Sequence, residues 1–298
     1  MANQLKVIKR YKNIPVDMGK CVNLPCDLCN ADEDKLITVS NGFNLVQCKK
    51  CGFVYINPRP PKELLRDFYR EYFLEENEHV DAWKREFRGL YLEVMNRINK
   101  TYKSKGKILD IGCSFGFFLE LMRDDGWEVF GLDYSKFAVD YATNILKLPN
   151  IILGGIEDGK FPDNYFDVVT MFYVLEHVMD PSETLRLIHK ILKKQGLFVN
   201  RVPYTRPLIP VYRVLGEPTF EAPMHLSDFS PKTMMMFLEK TNFNDIEIFI
   251  TRPRRLPDCG SRMALSSLTF IGKALYKLTK GKFIFPWVGA FMSLARKH

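Results

Sequence analysis

Long uncharged hydrophobic segments are missing from this 298-residue chain. No apolar run reaches the roughly 18 residues that a transmembrane helix needs, and the longest candidate, near 263–272, stops at Lys273. The first ten residues, MANQLKVIKR, also lack the apolar core of a signal peptide. The sequence therefore predicts no transmembrane helix and a cytoplasmic location.

Acidic residues are almost absent from the end of the chain. Residues 251–298 carry a net charge of +9 with Asp258 as the single acid, whereas residues 1–250 carry −1. An enzyme that acts on nucleic acid would spread positive charge over its body as well, so nucleic acid is not expected as a partner. A basic amphipathic helix is predicted at about 261–280. The segment 262–287 would then either contact an anionic membrane surface, at the inner face of the membrane, or cover the substrate.

Cysteine is sparse, and the count of seven is odd. This argues against a disulfide framework. Four cysteines form two C-x-x-C pairs, which can supply four thiolates to one structural Zn²⁺, and Asn30 and Gly52 follow the pairs where a tight turn needs left-handed backbone. We therefore predict a zinc ribbon over residues 20–60, with four ligands: Cys26, Cys29, Cys48 and Cys51.

Hydrophobic periodicity divides the rest of the chain. Helical spacing follows NPRPP and predicts a helical linker or cap over 61–104. Strands and helices then alternate, which predicts a parallel sheet in a domain over 105–298, with an insertion at 204–229. The predicted strands are 107–112, 127–133, 151–154, 166–172, 197–203, 245–250 and 289–295; the predicted helices are 62–73, 81–100, 117–125, 135–147, 181–194, stopped by Gly196, and 230–243.

The glycine turn in KILDIGCSFGFF lacks the G-x-G-x-x-G spacing that is typical of dinucleotide-binding sites. Gly112 and Gly116 would let backbone approach a cofactor closely, and Asp133, at the end of the next strand, can accept both ribose hydroxyls. Asp110 at the mouth of the first strand would repel a pyrophosphate. A phosphate-free, cationic cofactor such as S-adenosylmethionine therefore fits better than a dinucleotide.

These residues, together with FPDNYFDVVTMFYVLEHVMDP and KILKKQGLFVNRVP, resemble class I S-adenosylmethionine-dependent methyltransferases, and most of all the C/O-methylase-like group with an N-terminal zinc ribbon. The resemblance implies a Rossmann-like α/β fold with a seven-stranded, mostly parallel sheet whose last strand is antiparallel. By motif position, Asp110, Gly112 and Gly116 would line the methionine and ribose, Asp133 would bind the ribose hydroxyls, and Ile156 and Glu157 would flank adenine.

The chain departs from the family pattern at two positions. Ser114 stands where the middle glycine is usual, and Gly155 stands where an acid is common at the adenine turn. Glu157 or Asp158 would then have to substitute for that acid, or the backbone alone would read the base.

Catalysis of methyl transfer rests mainly on alignment, and a base is needed only when the acceptor proton has a high pKa. His177, just after the strand at 166–172, and His225, in the insertion, are the candidate bases. We expect in-line methyl transfer to a small-molecule, sugar or lipid-linked acceptor. The alternatives are a zinc-ribbon RNA methyltransferase and a cofactor-binding scaffold without turnover.

Overall fold

The computed structural model describes residues 16–70, 77–102, 104–204, 220–250, 278 and 290–298. The predicted basic helix at about 261–280 and the segment 262–287 lie outside the described residues except for Leu278, so membrane contact stays a prediction. Among the described residues, no helix is long and apolar enough to cross a membrane.

The described residues form strands and helices that follow the predicted order closely. In chain order the strands are β1 (Asp34–Ser40), β2 (Phe43–Cys48), β3 (Val54–Ile56), β4 (Lys107–Ile111), β5 (Glu128–Asp133), β6 (Ile151–Leu153), β7 (Phe166–Phe172), β8 (Leu192–Pro203), β9 (Ser227–Asp228), β10 (Phe243–Ile250) and β11 (Ala290–Lys297). The helices are α1 (Lys62–Arg70), α2 (Asn77–Thr101), α3 (Phe117–Asp124), α4 (Lys136–Asn144), α5 (Pro181–Ile191) and α6 (Pro231–Lys240), and Leu175–His177 forms a single 3₁₀ turn.

The larger sheet has seven strands in the order β10-β11-β8-β7-β4-β5-β6. Strands β4, β5, β6, β7 and β8 pair in parallel, whereas β11 is antiparallel to both β8 and β10. This confirms the Rossmann-like, mostly parallel sheet and its antiparallel last strand. The carboxyl ends of β4, β5, β6 and β7 meet at one edge, where open α/β sheets bind their ligands.

Both faces of this sheet are covered, as a parallel sheet requires. Val168 belongs to a core shared with α2, α3 and α4, whereas its neighbour Val169 belongs to a core shared with α5, α6 and the cysteine segment. The alternation follows from the two-residue period of a strand, which turns successive side chains to opposite faces.

The smaller sheet, ordered β1-β2-β3-β9, contains the cysteine ribbon and one short strand from the predicted insertion. Val54 of β3 pairs with Asp228 of β9. The Phe53 ring packs on Phe237 of α6 at a centroid distance of 4.8 Å. The ribbon therefore shares its core with the larger sheet, and the proposed division into 20–60, 61–104 and 105–298 stays a prediction.

Two predicted helix ends are wrong. The helix predicted over 230–243 ends at Lys240, and Phe243 begins β10. The helix predicted over 181–194 ends at Ile191, and Gly196, the predicted helix stop, lies inside β8. The apolar spacing continues through Leu192, but Leu192 is buried because it pairs with Phe166 of β7. Gln195, with φ of 63°, makes the local irregularity that brings Leu197 opposite Val168.

Candidate functional site

The glycine loop leaves β4 at the carboxyl edge of the sheet and ends at α3. Gly112 and Gly116 have φ of 72° and 79°, a region that L side chains rarely adopt. A Cβ at Gly112 would lie 2.2 Å from Cγ2 of Val174, and one at Gly116 would lie 2.5 Å from Cδ1 of Leu148. Both predicted glycines are therefore required by backbone conformation and by close packing.

Ser114, which replaces the usual middle glycine, also has a positive φ, of 48°. This conformation explains why glycine suits the position, and it strains a serine by about 1–2 kcal/mol. The Ser114 hydroxyl is buried and has no hydrogen-bond partner in the part of the chain that the structure describes. This hydroxyl is therefore available to hydrogen-bond a polar ligand bound at the loop.

Asp133 links this loop to the end of β5. Its Oδ2 accepts a hydrogen bond from the Ser114 N–H and its Oδ1 accepts one from the Ser135 N–H, each at 2.8 Å. A carboxylate has about four acceptor positions, so both oxygens can still accept a ribose hydroxyl. The assigned ribose contact of Asp133 stays a prediction.

Asp110 is 2% exposed and lies at the end of β4 beside β7. Burial raises the pKa of its carboxyl group to about 8, and the nearby charge of Asp133 adds to the rise. The Thr170 hydroxyl opposes this increase in pKa, because it donates a hydrogen bond to Oδ1 of Asp110 at 2.6 Å. Without a cation nearby, Asp110 is therefore largely protonated at neutral pH.

A positively charged ligand favours the ionised carboxylate, so its binding is coupled to proton loss from Asp110. Affinity for S-adenosylmethionine should rise with pH up to about 8, at most about tenfold per pH unit, and then level off. Titration calorimetry from pH 6 to 9 checks this, with Asp110→Asn as the variant that cannot ionise. Identical pH profiles for the two proteins would contradict the coupling.

The turn Ile156–Glu157 follows β6 at the same edge and contacts α1. Burial opposes ionisation of Glu157, but a backbone hydrogen bond, Lys62 and Arg66 together lower the pKa of its carboxyl group to about 2. Its Oε1 lies 3.1 Å from Nζ of Lys62 and 2.8 Å from a guanidinium nitrogen of Arg66. The carboxylate therefore holds α1 over the turn, and the assigned adenine contacts of Ile156 and Glu157 stay predictions.

His177 and His225, far apart in sequence, lie side by side with ring centroids 4.7 Å apart. The Leu226 N–H donates a hydrogen bond to the Glu176 carbonyl oxygen at 2.7 Å, which joins the predicted insertion to the 3₁₀ turn after β7. Val174, which packs against Gly112, begins the same turn. The two candidate bases therefore lie beside the glycine loop.

Burial lowers the pKa of His177 to about 3, and the facing His225 adds to the decrease. The imidazole is consequently neutral at physiological pH. A pKa near the working pH is best for a general base, so His177 alone is a weak one. The Nδ1 atom of His177 also lies 2.7 Å from the Tyr69 hydroxyl, which brings α1 to the same site.

The four predicted zinc ligands converge. All four Sγ atoms lie within 4.8 Å of one another, and the Cys26–Cys51 and Cys29–Cys48 distances are each 3.5 Å. Asn30 and Gly52 have φ of 56° and 81°. This confirms the predicted left-handed turn after each C-x-x-C pair.

The thiol chemistry of this cluster also suits a metal. Burial opposes ionisation of Cys48, but hydrogen bonds from the backbone of Cys51 and Lys50 and from neighbouring thiols lower its pKa to about 7. Burial raises the pKa of Cys51 to about 11, so an ion is needed to hold four thiolates together. Zn²⁺, which binds sulfur at about 2.3 Å in a tetrahedron, fits this donor set.

The sequence did not predict two features of the site. The first is a contact between the cysteine ribbon and the start of α5, where the Ser182 N–H donates a hydrogen bond to Oδ2 of Asp27 at 2.9 Å. The other is the cluster that Glu176, His177 and His225 form together. The pair Glu176–His177 is visible in sequence, but its distance from His225 is not.

Comparison with known proteins gives partial matches to curated relatives. A probable S-adenosylmethionine-dependent methyltransferase of Mycolicibacterium smegmatis is 26% identical over 136 residues, which cover 46% of this chain and 51% of the relative. A ubiquinone biosynthesis O-methyltransferase of Proteus mirabilis is 38% identical over 96 residues, which cover 30% of this chain and 39% of the relative. The chain thus spans about half or less of the length of these relatives.

Among solved structures, a SAM-dependent methyltransferase from Archaeoglobus fulgidus is similar with a TM-score of 0.50 and 25% identity, covering 73% of this chain and 99% of that one. A family model described as a methyltransferase domain matches residues 82–248, more than half of the chain. That range contains the glycine loop, Asp133 and the paired histidines. The chain therefore belongs to the class I S-adenosylmethionine-dependent methyltransferase family.

Proposed function

We propose that this protein transfers the methyl group of S-adenosylmethionine to a hydroxyl oxygen of a small-molecule acceptor. The observation that carries the proposal is the pairing of His177 and His225 beside the glycine loop. Imidazoles beside the methyl donor would promote loss of an acceptor proton, which a hydroxyl requires and which many other acceptors do not. The O-methyltransferase relative supports an oxygen acceptor.

Different residues would bind the cofactor and orient the acceptor. Asp133 would bind the ribose hydroxyls, the Asp110 carboxylate would favour the cationic end of the cofactor, and the glycine loop would permit close approach. S-adenosylmethionine, when bound, supplies an electrophilic methyl group on a sulfonium. His177, His225 and Tyr69 would orient the acceptor oxygen in line with that group, since alignment provides most of the rate.

The hydroxyl acceptor is a small molecule, and sugars and lipid-linked alcohols fall within this class. Contact of 262–287 with an acidic membrane surface would suit a lipid-linked acceptor. Neither the neutral charge balance of residues 1–250 nor the position of the ribbon against α5 and α6 favours RNA as the substrate.

The test is a transfer assay with methyl-labelled S-adenosylmethionine. Phenols, catechols, sugars and polyprenyl-linked alcohols are offered beside amines and RNA, and products are identified by mass and by the methylated atom. We expect label on an oxygen, and His225→Ala should lower the rate about 10²- to 10⁴-fold. His298→Ala is the matched control, because His298 is exposed and pairs with Asp245 at the opposite edge of the sheet.

Label found only on amines or on RNA would refute the proposed acceptor. An equal rate in the wild type and His225→Ala would refute the role of the histidine pair. Calorimetric affinity of His225→Ala for S-adenosylmethionine must match that of the wild type, which shows that the loss of rate comes from the acceptor side.

A further inference from the structure

A second set of metal-ligating side chains lies apart from the four cysteines. Within the described residues, Glu176, His177 and His225 each place one ligand atom within 4.8 Å of the others. Two imidazoles and one carboxylate are the donors of several catalytic zinc sites and of the facial triads that leave positions open for substrate.

The His177 ring is held in one orientation. Its Nδ1 lies 2.9 Å from the Met224 carbonyl oxygen and 2.7 Å from the Tyr69 hydroxyl. Because a carbonyl oxygen only accepts, the hydrogen bond to Met224 assigns the proton to Nδ1 and the lone pair to Nε2, with the Tyr69 hydroxyl oxygen as a second acceptor. A ligating histidine is oriented in this way, with its other ring N–H donated to a carbonyl.

The lone pair of His177 faces Glu176. Nε2 lies 3.9 Å from Oε1 of that carboxylate, which is beyond hydrogen-bond distance and leaves space between the two atoms. Glu176 is 1% exposed. Water therefore screens this carboxyl group only weakly from a cation placed between it and the imidazoles.

The third member is fixed by backbone contacts. The Leu226 N–H to Glu176 carbonyl bond, 2.7 Å long, holds the segment around His225 against the 3₁₀ turn. Nε2 of His225 lies 3.7 Å from Oε2 of Glu221, which adds a second carboxylate at the edge of the cluster. Three ligands on two chain segments are thus arranged before any ion binds.

We propose that Glu176, His177 and His225 bind one divalent first-row metal ion, of the kind of Zn²⁺ or Co²⁺, which holds the acceptor hydroxyl beside the methyl donor. The role of the ion rests on the proposed function, whereas its binding does not. In this arrangement the histidine pair promotes loss of the acceptor proton through the bound ion, with His225 as a ligand and not as the base.

The reaction at this ion is balanced without any further reactant. The metal lowers the pKa of the bound hydroxyl, whose proton passes to water. The oxygen then forms a bond to the methyl carbon as the carbon–sulfur bond breaks, and sulfur keeps the electron pair. An anionic oxygen and a cationic sulfonium thereby become a neutral ether and a neutral thioether.

The experiment uses the full chain with zinc already in the ribbon and CoCl₂ as the probe. Calorimetry and visible absorption are recorded together, because cobalt that replaces zinc among thiolates produces sulfur-to-cobalt charge-transfer bands. We expect one further Co²⁺ per chain with ligand-field bands and no charge-transfer bands. Glu176→Gln and His225→Ala should each weaken its binding at least tenfold, whereas His298→Ala should not.

Absence of Co²⁺ binding beyond the ribbon, or equal Co²⁺ affinity in the wild type and both ligand variants, would overturn the proposal. Glu176→Gln keeps the size of the side chain, so it remains informative if His225→Ala fails to fold. Melting curves and S-adenosylmethionine affinity establish that each variant is intact. Co²⁺ bound at this site together with methyl transfer to nitrogen would support the site and refute the proposed function alone.

Discussion

Replacing Asp133 with alanine should weaken binding of S-adenosylmethionine by about 1.5–3 kcal/mol, which is roughly a 10- to 150-fold rise in Kd. The variant loses hydrogen bonds from both ribose hydroxyls to a charged acceptor. It also releases the N–H groups of Ser114 and Ser135, which the carboxylate holds at 2.8 Å, so the glycine loop loses its anchor. Titration calorimetry at pH 8 measures the change.

The matched control is Asp140→Ala, because Asp140 lies on the next helix and pairs only with the exposed Lys136 among the described residues. Its affinity should equal that of the wild type. The affinity of Asp133→Asn should lie between those of the wild type and Asp133→Ala, since an amide oxygen still accepts one hydrogen bond but carries no charge. Wild-type affinity in Asp133→Ala would remove Asp133 from the cofactor site.

Cys48→Ser should reduce bound zinc from one ion per chain to nearly none and lower the melting temperature strongly. Structural zinc contributes about 10–16 kcal/mol when it binds a small cysteine site. Metal analysis after purification without added metal, together with calorimetric melting, measures both effects. A zinc-free wild type, or unchanged melting in the variant, would contradict the zinc site.

Cys21→Ser is the control for this loss, because Cys21 lies outside the four-thiol cluster. It should keep both the zinc content and the melting temperature. The seven-stranded sheet of Cys48→Ser is expected to stay folded, which retention of S-adenosylmethionine binding would show. The start of α5 is held by Asp27 of the ribbon, so this part of the protein should become less stable in Cys48→Ser.

The sequence predicts the parts of this fold that depend on neighbouring residues. The strand β7 matches its predicted bounds, since a buried apolar run between turn residues has few alternatives. The zinc ligands and the glycine turn are likewise local patterns, because spacing alone places their backbone. The end of α5 was misplaced because pairing of Leu192 with β7, a tertiary contact, overrode a helical pattern.

Tertiary contacts also limit what the sequence predicts about the candidate site. Asp110 and Asp133 end adjacent parallel strands, so the order of strands and helices predicts that they meet. His225 lies on a segment that returns across the ribbon to pair β9 with β3, and no periodic pattern marks that return. Its contact with His177 therefore appears only in three dimensions.

The glycine loop, Asp110 and Asp133 at the carboxyl edge of the sheet are expected to bind a cationic, phosphate-free cofactor. The most direct test is titration of the wild-type protein with S-adenosylmethionine and, separately, with NAD, by calorimetry at pH 8. Saturable binding of one S-adenosylmethionine per chain, with no measurable heat from NAD, is the expected result. Binding of NAD without binding of S-adenosylmethionine would contradict the account.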